Sequence, residues 1–152
     1  FVIPEAKVDE KVMTIPGTDG QKMSKSYNNI INIFLDDKKL RKQIMSIQTD
    51  SLGLEDKKDP SNCNVFKIYQ LLASKEDSDK MAEKYKAGNY GYGNAKQELF
   101  ELICNKFSTQ RERYNHLMSN TDIIEEELNE GAKKATLIAD KVLKRVRNNI
   151  GY

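Results

Sequence analysis

Five consecutive residues bring together side chains that can bind a polyphosphate. They are Lys22-Met23-Ser24-Lys25-Ser26, and a turn-forming Gly17-Thr18-Asp19-Gly20 stands just before them. Lysine contributes a compact positive charge, and a serine hydroxyl can donate a hydrogen bond to a phosphoryl oxygen. The pattern predicts a phosphate-binding loop in which both lysines and both serines contact the ligand. A solvated Lys/Ser turn or a phosphorylatable basic linker would have a similar composition.

The first 30 residues differ from the rest of the chain. They contain two of the three prolines and several β-branched residues, without a sustained helical period. Val12-Met13-Thr14-Ile15 predicts a short strand that ends at Pro16 and leads into the loop. A strand needs neighbours, and the chain begins at Phe1 rather than at a methionine, so we expect it to be an excerpt of a longer protein.

From residue 30 onward the apolar residues recur at helical spacing. A helix starts at Asp36-Asp37 and runs to Met45, with carboxylates at its start as the helix dipole favours. A polar segment with Gly and Pro follows over residues 50–60 and predicts a loop. Ser61 or Asn62 then caps a helix with one broad apolar face, made of Val65, Phe66, Ile68, Tyr69, Leu71 and Leu72.

The second half predicts three more helices. A short one runs from Ser78 to Lys86, and the Gly-rich segment 88–94 forms a turn. A long helix carries Leu99, Leu102, Ile103 and Phe107, and the theme extends through Tyr114, Leu117 and Met118. The last helix begins near Thr121-Asp122, with a break left open at Glu130-Gly131. The predicted fold is therefore mainly α, a helical bundle preceded by a strand and a loop.

Composition excludes several classes of protein. The 25 Lys and Arg residues nearly balance 23 acidic residues, so the net charge of +2 points to no particular partner. No apolar run reaches the roughly 18–20 residues that cross a bilayer. Cys63 and Cys104 are far apart, and His116 is the only histidine, so we predict two reduced thiols in a cytosolic protein and no metal site.

The loop and several later strings resemble one enzyme family. The string Lys22-Met23-Ser24-Lys25-Ser26 resembles the signature loop of class I aminoacyl-tRNA synthetases, and residues 16–29 resemble that segment of the bacterial-type tryptophanyl-tRNA synthetases. The resemblance covers essentially the whole chain. It continues through Thr49-Asp50-Ser51, Asp59-Pro60, Asn64-Val65-Phe66-Lys67-Ile68-Tyr69, Tyr90-Gly91-Tyr92-Gly93-Asn94-Ala95-Lys96, Arg111-Glu112-Arg113-Tyr114 and Gly131-Ala132-Lys133-Lys134-Ala135.

The resemblance implies two parts of a larger enzyme. Residues 1–30 would be the end of a Rossmann-type catalytic domain with its last strand, and residues 31–152 the helical domain that binds the tRNA anticodon. The chain lacks an H-I-G-H-type string and the amino-acid pocket, so we expect it to be the C-terminal portion and inactive alone. Such enzymes are cytoplasmic and dimeric, although this portion could be monomeric.

The resemblance also implies roles for individual residues. The full enzyme would use ATP with Mg²⁺ to convert tryptophan to tryptophanyl-adenylate and then charge tRNA(Trp). Lys22 and Lys25 would be catalytic, stabilising the leaving pyrophosphate, while Met23 contributes packing. The ATP-binding residues would be Val12, Met13, Lys22, Met23, Ser24, Lys25 and Ser26. Mg²⁺ would travel with the nucleotide phosphates and require no visible protein ligand.

Two basic clusters are the candidate tRNA contacts. Lys134, Lys141 and Arg145 line up along one flank of the final helix, and Arg111 and Arg113 lie beside Tyr114. A run of charges is more often a solvated face, and packing accounts for Tyr114 equally well. Two alternatives for the whole chain are a fragment of a tyrosyl-type class I synthetase and a non-catalytic helical module that binds RNA or protein.

Overall fold

A computed structural model describes residues 3–7 and 14–151 of the chain. Val12 and Met13, predicted to lie near the adenine, fall outside these residues. The described part is mainly helical, as predicted. Its α-helices are α1 (Asp37–Met45), α2 (Asn64–Leu72), α3 (Lys75–Ala87), α4 (Tyr92–Lys106), α5 (Ser108–Ser119) and α6 (Thr121–Ile150).

The described residues contain no β-strand. Of the predicted strand, Thr14 and Ile15 are described and are not part of one. An isolated antiparallel bridge instead pairs Pro16 with Lys22 across the turn. No helix among residues 3–7 and 14–151 is long and apolar enough to cross a membrane.

The chain divides into two compact units, one ending at Ser108 and the other beginning at Thr109. This division follows contacts within the chain. The boundary that the sequence predicts near residue 30 separates the parts of a larger enzyme, and it stays a prediction. In the first unit, α4 packs against α1 and α2, and α2 also packs against α3.

The hydrophobic core of the first unit is built from the apolar faces of its four helices. Because these residues are spaced three or four apart, each helix turns one side inward and leaves its charged side in water. The predicted apolar face of α2 is confirmed: four of its members are buried, while Leu71 and Leu72 are partly exposed. The helical residues of this core are Leu40, Ile44, Val65, Phe66, Ile68, Tyr69, Met81, Tyr85, Ala95, Leu99 and Ile103.

Two lysines of α4 stabilise the ends of neighbouring helices. The Lys96 ammonium donates to the Met45 carbonyl oxygen at 3.0 Å, and the Lys106 ammonium donates to the Leu72 carbonyl oxygen at 2.7 Å. Met45 ends α1 and Leu72 ends α2. The last carbonyls of a helix have no intrahelical donor and carry partial negative charge, so cations there are favourable.

The predicted cap of α2 is wrong. Neither Ser61 nor Asn62 caps it, because both belong to a 3₁₀ turn, Pro60–Asn62, whose own cap is Asp59. The Asn62 amide donates to the Asp59 carboxylate at 2.7 Å. Cys63 stands at the cap position without a side-chain hydrogen bond. Proline favours the first position of such a turn, which displaces the start of α2.

The long helix predicted across residues 99–118 is two helices. It is interrupted at Phe107, which ends α4 with φ −106° and ψ 16°. No glycine or proline marks this position. The last helix shows the reverse difference. A break at Glu130-Gly131 was possible from the sequence, but α6 continues through these residues. Both cysteines are free thiols, Cys63 buried and Cys104 partly exposed.

Lys58 is a buried cation that organises the loop before α2. It is only 3% exposed. Its ammonium donates to the carbonyl oxygens of Gly53 at 2.6 Å and Asp56 at 3.0 Å, and lies 5.3 Å from the centre of the Tyr92 ring. The loop therefore folds around one ammonium group, which supplies the donors that these carbonyls would otherwise take from water.

We expect Lys58→Met to lower the free energy of unfolding by about 2 kcal/mol, because methionine fills the space without satisfying the carbonyls. Chemical denaturation of the chain measures this change. Lys57→Met is the matched control, since Lys57 is exposed. Equal stabilities of the two variants would contradict a structural role for the Lys58 ammonium.

Candidate functional site: the signature loop and the basic helices

The signature loop, residues 22–26, is held by a tight turn at its start. The Gly17 N–H donates to the Gln21 carbonyl oxygen at 2.7 Å, and the Met23 N–H donates to the Ile15 carbonyl oxygen at 2.8 Å. Gly20 has φ +81°, a conformation that glycine adopts without the cost that a side chain brings. The two sides of the turn thus approach each other and present residues 22–26 as one loop.

The second half of the loop forms a short 3₁₀ helix, Lys25–Tyr27. Ser24 is its cap, and the Ser24 hydroxyl oxygen accepts the Ser26 N–H at 3.3 Å. Asn28 ends it in the left-handed region at φ 54°, which asparagine tolerates better than most residues. Because the Ser24 oxygen acts as an acceptor here, its hydroxyl proton remains available to donate to a ligand.

The side chains predicted to contact phosphate differ in their exposure. Lys22, Lys25 and Ser26 are exposed, whereas Met23 and Ser24 are half-buried. The packing role of Met23 stays a prediction. The structure thus brings all five residues onto one short loop, and their contacts with ATP stay a prediction.

Asn29 is a buried polar residue that connects both sides of the loop, and it is 2% exposed. Its amide nitrogen donates to the Asp19 carboxylate at 2.8 Å and to the Lys22 carbonyl oxygen at 3.1 Å. Its amide oxygen accepts the Ser24 N–H at 2.8 Å. Asn29 ends the family-like string of residues 16–29, but the sequence predicts no role for it, since an asparagine after a turn is equally typical of a solvated loop.

Asp19 completes this network from the preceding turn. The hydrogen bond from Asn29, together with the Gln21 N–H at 3.0 Å, lowers the pKa of the Asp19 carboxyl below its ordinary value. Hydrogen bonds of this kind favour the charged form. Asp19 therefore stays ionised at neutral pH and accepts from Asn29 throughout the physiological range.

The loop is also anchored to the helical part of the first unit. The Gln48 N–H donates to the Thr18 carbonyl oxygen at 2.7 Å, and the Asn64 amide donates to the Gln48 carbonyl oxygen at 3.2 Å. Gly20 lies against this same Asn64, since a Cβ placed on Gly20 would be 2.5 Å from the Asn64 amide nitrogen. The residues after α1 and at the start of α2 therefore support the turn that precedes the loop.

The second unit carries the candidate tRNA contacts. Lys134, Lys141 and Arg145 are exposed on α6, and their spacings of seven and four place them on one flank of the helix. On α5, Arg113 is exposed and Arg111 half-buried, while Tyr114 is 38% exposed. The structure thus places these three basic residues along one flank of α6. Whether either cluster contacts RNA stays a prediction.

The sequence of residues 22–26 and the helices that follow them indicate a class I aminoacyl-tRNA synthetase. The family model described as "tRNA synthetases class I (W and Y)" matches residues 3–108, and the chain belongs to this family. The letters W and Y stand for tryptophan and tyrosine enzymes.

Several similar proteins with known names are tryptophan enzymes. The chain is 46% identical to the tryptophan–tRNA ligase of Fusobacterium nucleatum and to that of Rhodopirellula baltica. Each of these two matches covers 99% of this chain. A crystal structure of tryptophanyl-tRNA synthetase from Campylobacter jejuni, complexed with ADP and tryptophan, matches with a TM-score of 0.90. That match is 45% identical and covers 98% of this chain and 47% of the other. The chain spans about half the length of these relatives, 46% and 47% of the two ligases.

Proposed function

We propose that this chain is the C-terminal portion of a tryptophan–tRNA ligase and supplies its signature loop and anticodon-binding helices. The observation that carries the proposal is the similarity to tryptophan–tRNA ligases along 99% of the chain, with the loop residues all present. Residues 1–30 would then belong to the catalytic domain and residues 31–152 to the anticodon-binding domain. The full-length enzyme would activate tryptophan with ATP and transfer it to tRNA(Trp).

In the first step of this reaction the tryptophan carboxylate attacks the α-phosphorus of ATP, and pyrophosphate leaves. Negative charge increases on the leaving group, so positive charges placed there stabilise the transition state more than the ground state. Lys22 and Lys25 are exposed on one loop and can supply these charges. The hydroxyls of Ser24 and Ser26 would donate to phosphoryl oxygens, and Val12 and Met13 would contact the adenine with main-chain groups.

The loop is suited to positioning and charge stabilisation rather than to proton transfer. Lysine and serine contribute cations and donors, and residues 22–26 contain no carboxylate or imidazole that could act as a general base. We propose that Mg²⁺ arrives with the ATP phosphates. Among the described residues no cluster of three His, Cys, Asp or Glu side chains could hold a metal ion.

For the second step we propose that the basic flank of α6 contacts tRNA phosphates, aided by Arg111 and Arg113 on α5. Lysine and arginine side chains neutralise backbone phosphates, and each contact releases bound counterions. The full-length enzyme is proposed to be cytoplasmic and homodimeric, as the family resemblance implies.

Changing Lys134, Lys141 and Arg145 together to glutamine should weaken tRNA binding most at low salt. We expect the slope of log K against log salt to become shallower by about 2, since each phosphate contact contributes roughly 0.7. Filter binding of tRNA(Trp) to the full-length enzyme over a salt series measures this slope. Lys38, Lys67 and Lys86 changed to glutamine are the matched control, because all three are exposed on α1, α2 and α3. Equal slopes for both triple variants would contradict the assignment.

The proposed specificity has its own test. Binding of this chain to a panel of tRNA transcripts should favour tRNA(Trp), and the preference should disappear when the anticodon is changed. Equal, salt-sensitive binding to all tRNAs would contradict autonomous anticodon recognition by residues 31–152.

A further inference from the structure

We propose that Asn29 is the positioning residue of the signature loop, which aligns residues 22–26 for ATP without touching the nucleotide. The inference rests on the proposed function and adds to it a residue that the loop needs for its catalytic shape.

The contacts of the Asn29 side chain define a clamp across the loop. One amide proton goes to the Asp19 carboxylate on the turn, and the other goes to the Lys22 carbonyl oxygen at the beginning of the loop. The amide oxygen accepts from Ser24 in the middle of it. The hydrogen-bond partners determine the orientation of this amide, since its nitrogen faces two acceptors and its oxygen faces a donor.

The main chain of Asn29 strengthens the clamp. The Thr18 N–H donates to the Asn29 carbonyl oxygen at 2.9 Å. Gly17 leaves the space for this approach, because a Cβ there would be 2.5 Å from Asn29 Cγ and 2.6 Å from its carbonyl oxygen. One residue, 2% exposed, therefore sets the distance between the turn and the loop. Such supporting contacts hold catalytic groups in place, and a displacement of about 1 Å can reduce a rate roughly 100-fold.

Asparagine is the side chain that these three contacts require. Aspartate has the same shape but, when ionised, offers no donor to the Lys22 carbonyl and repels the Asp19 carboxylate. The double variant Asp19→Asn with Asn29→Asp reverses the hydrogen bond between positions 19 and 29. The amide introduced at position 19 can donate to the carboxylate introduced at position 29. The Lys22 carbonyl still lacks its donor in that double variant, so the recovery should be incomplete.

The experiment compares Asn29→Asp, Asp19→Asn and the double variant in a full-length tryptophan–tRNA ligase that carries this segment. We expect Asn29→Asp to reduce kcat of tryptophan-dependent pyrophosphate exchange about 100-fold, with an unchanged KM for tryptophan. Asp19→Asn keeps an acceptor for Asn29 and should cost only about threefold, while the double variant should recover about tenfold of the loss. Asn105→Asp, at an exposed position of α4, is the control for the added charge.

A second readout does not depend on activity. In the 152-residue chain, the Ser24 amide proton should exchange with solvent faster in Asn29→Asp, and slower again in the double variant. If Asn29→Asp does not fold, the double variant decides: recovery of folding and rate supports the clamp, and failure to recover overturns it.

Two results would overturn the proposal in folded proteins. One is an Asn29→Asp rate close to that of the unchanged enzyme, and the other is a double variant as slow as Asn29→Asp. Lys25→Ala in the same assay distinguishes a failure of the clamp proposal from a failure of the proposed loop function. A slow Lys25→Ala beside a fast Asn29→Asp removes only the clamp, whereas an unaffected Lys25→Ala removes the proposed role of the loop itself.

Discussion

Lys25→Ala in the full-length enzyme should slow adenylate formation on the order of 100- to 1,000-fold and leave tryptophan affinity nearly unchanged. The reason is that negative charge increases on the pyrophosphate as it leaves, so a cation there stabilises the transition state more than the ground state. Lys25 lies exposed in the 3₁₀ turn of the signature loop, where its ammonium can meet the pyrophosphate as it leaves. Removing one preorganised charge of this kind costs about 2.7–4 kcal/mol of barrier.

Pre-steady-state kinetics of adenylate formation measure this effect, and equilibrium titration with tryptophan measures the affinity. Lys38→Ala removes the same charge from the exposed side of α1 and should leave both quantities unchanged. An activation rate for Lys25→Ala equal to that of Lys38→Ala would refute the catalytic assignment.

Gly17→Ala should open the signature loop. The new Cβ would meet the side chain and the main chain of Asn29, and its distances of 2.5 and 2.6 Å are too short for any real contact. Asn29 is buried and bonded on several sides, so it cannot move away without losing hydrogen bonds to Asp19, Lys22 or Ser24. Overpacking of this kind costs typically about 1–3 kcal/mol.

Hydrogen exchange of the Thr18 and Ser24 amides measures this opening, because both protons are donated to Asn29. Gly131→Ala is the control with the opposite expectation. Nothing lies within 4 Å of a Cβ at Gly131. In the interior of α6 alanine should stabilise the helix by up to about 1 kcal/mol. Unchanged protection of Thr18 and Ser24 in Gly17→Ala would show that the approach of Gly17 to Asn29 is not needed.

The helices could be predicted because their signals are local. Carboxylates at residues 36–37 and the periodic apolar residues of α2 and α4 define helices wherever the chain goes. The break at Phe107 could not be predicted, since no glycine or proline marks it and periodicity continues on both sides. The cap of α2 could not be predicted because Ser61 and Asn62 belong to a separate turn, which Asp59 caps and Pro60 begins.

The candidate site divides in the same way. The amino-acid sequence by itself determined which chemical groups the loop carries, because its two lysines and two serines within five residues are the cations and hydroxyl donors that the proposed phosphate contacts require. It also determined the order of most helices. The roles of Asn29 and Lys58 were decided only by the tertiary structure. A polar side chain becomes a clamp or a buried cation when folding brings specific carbonyls and carboxylates around it and removes water, and neither event leaves a periodic pattern in the sequence.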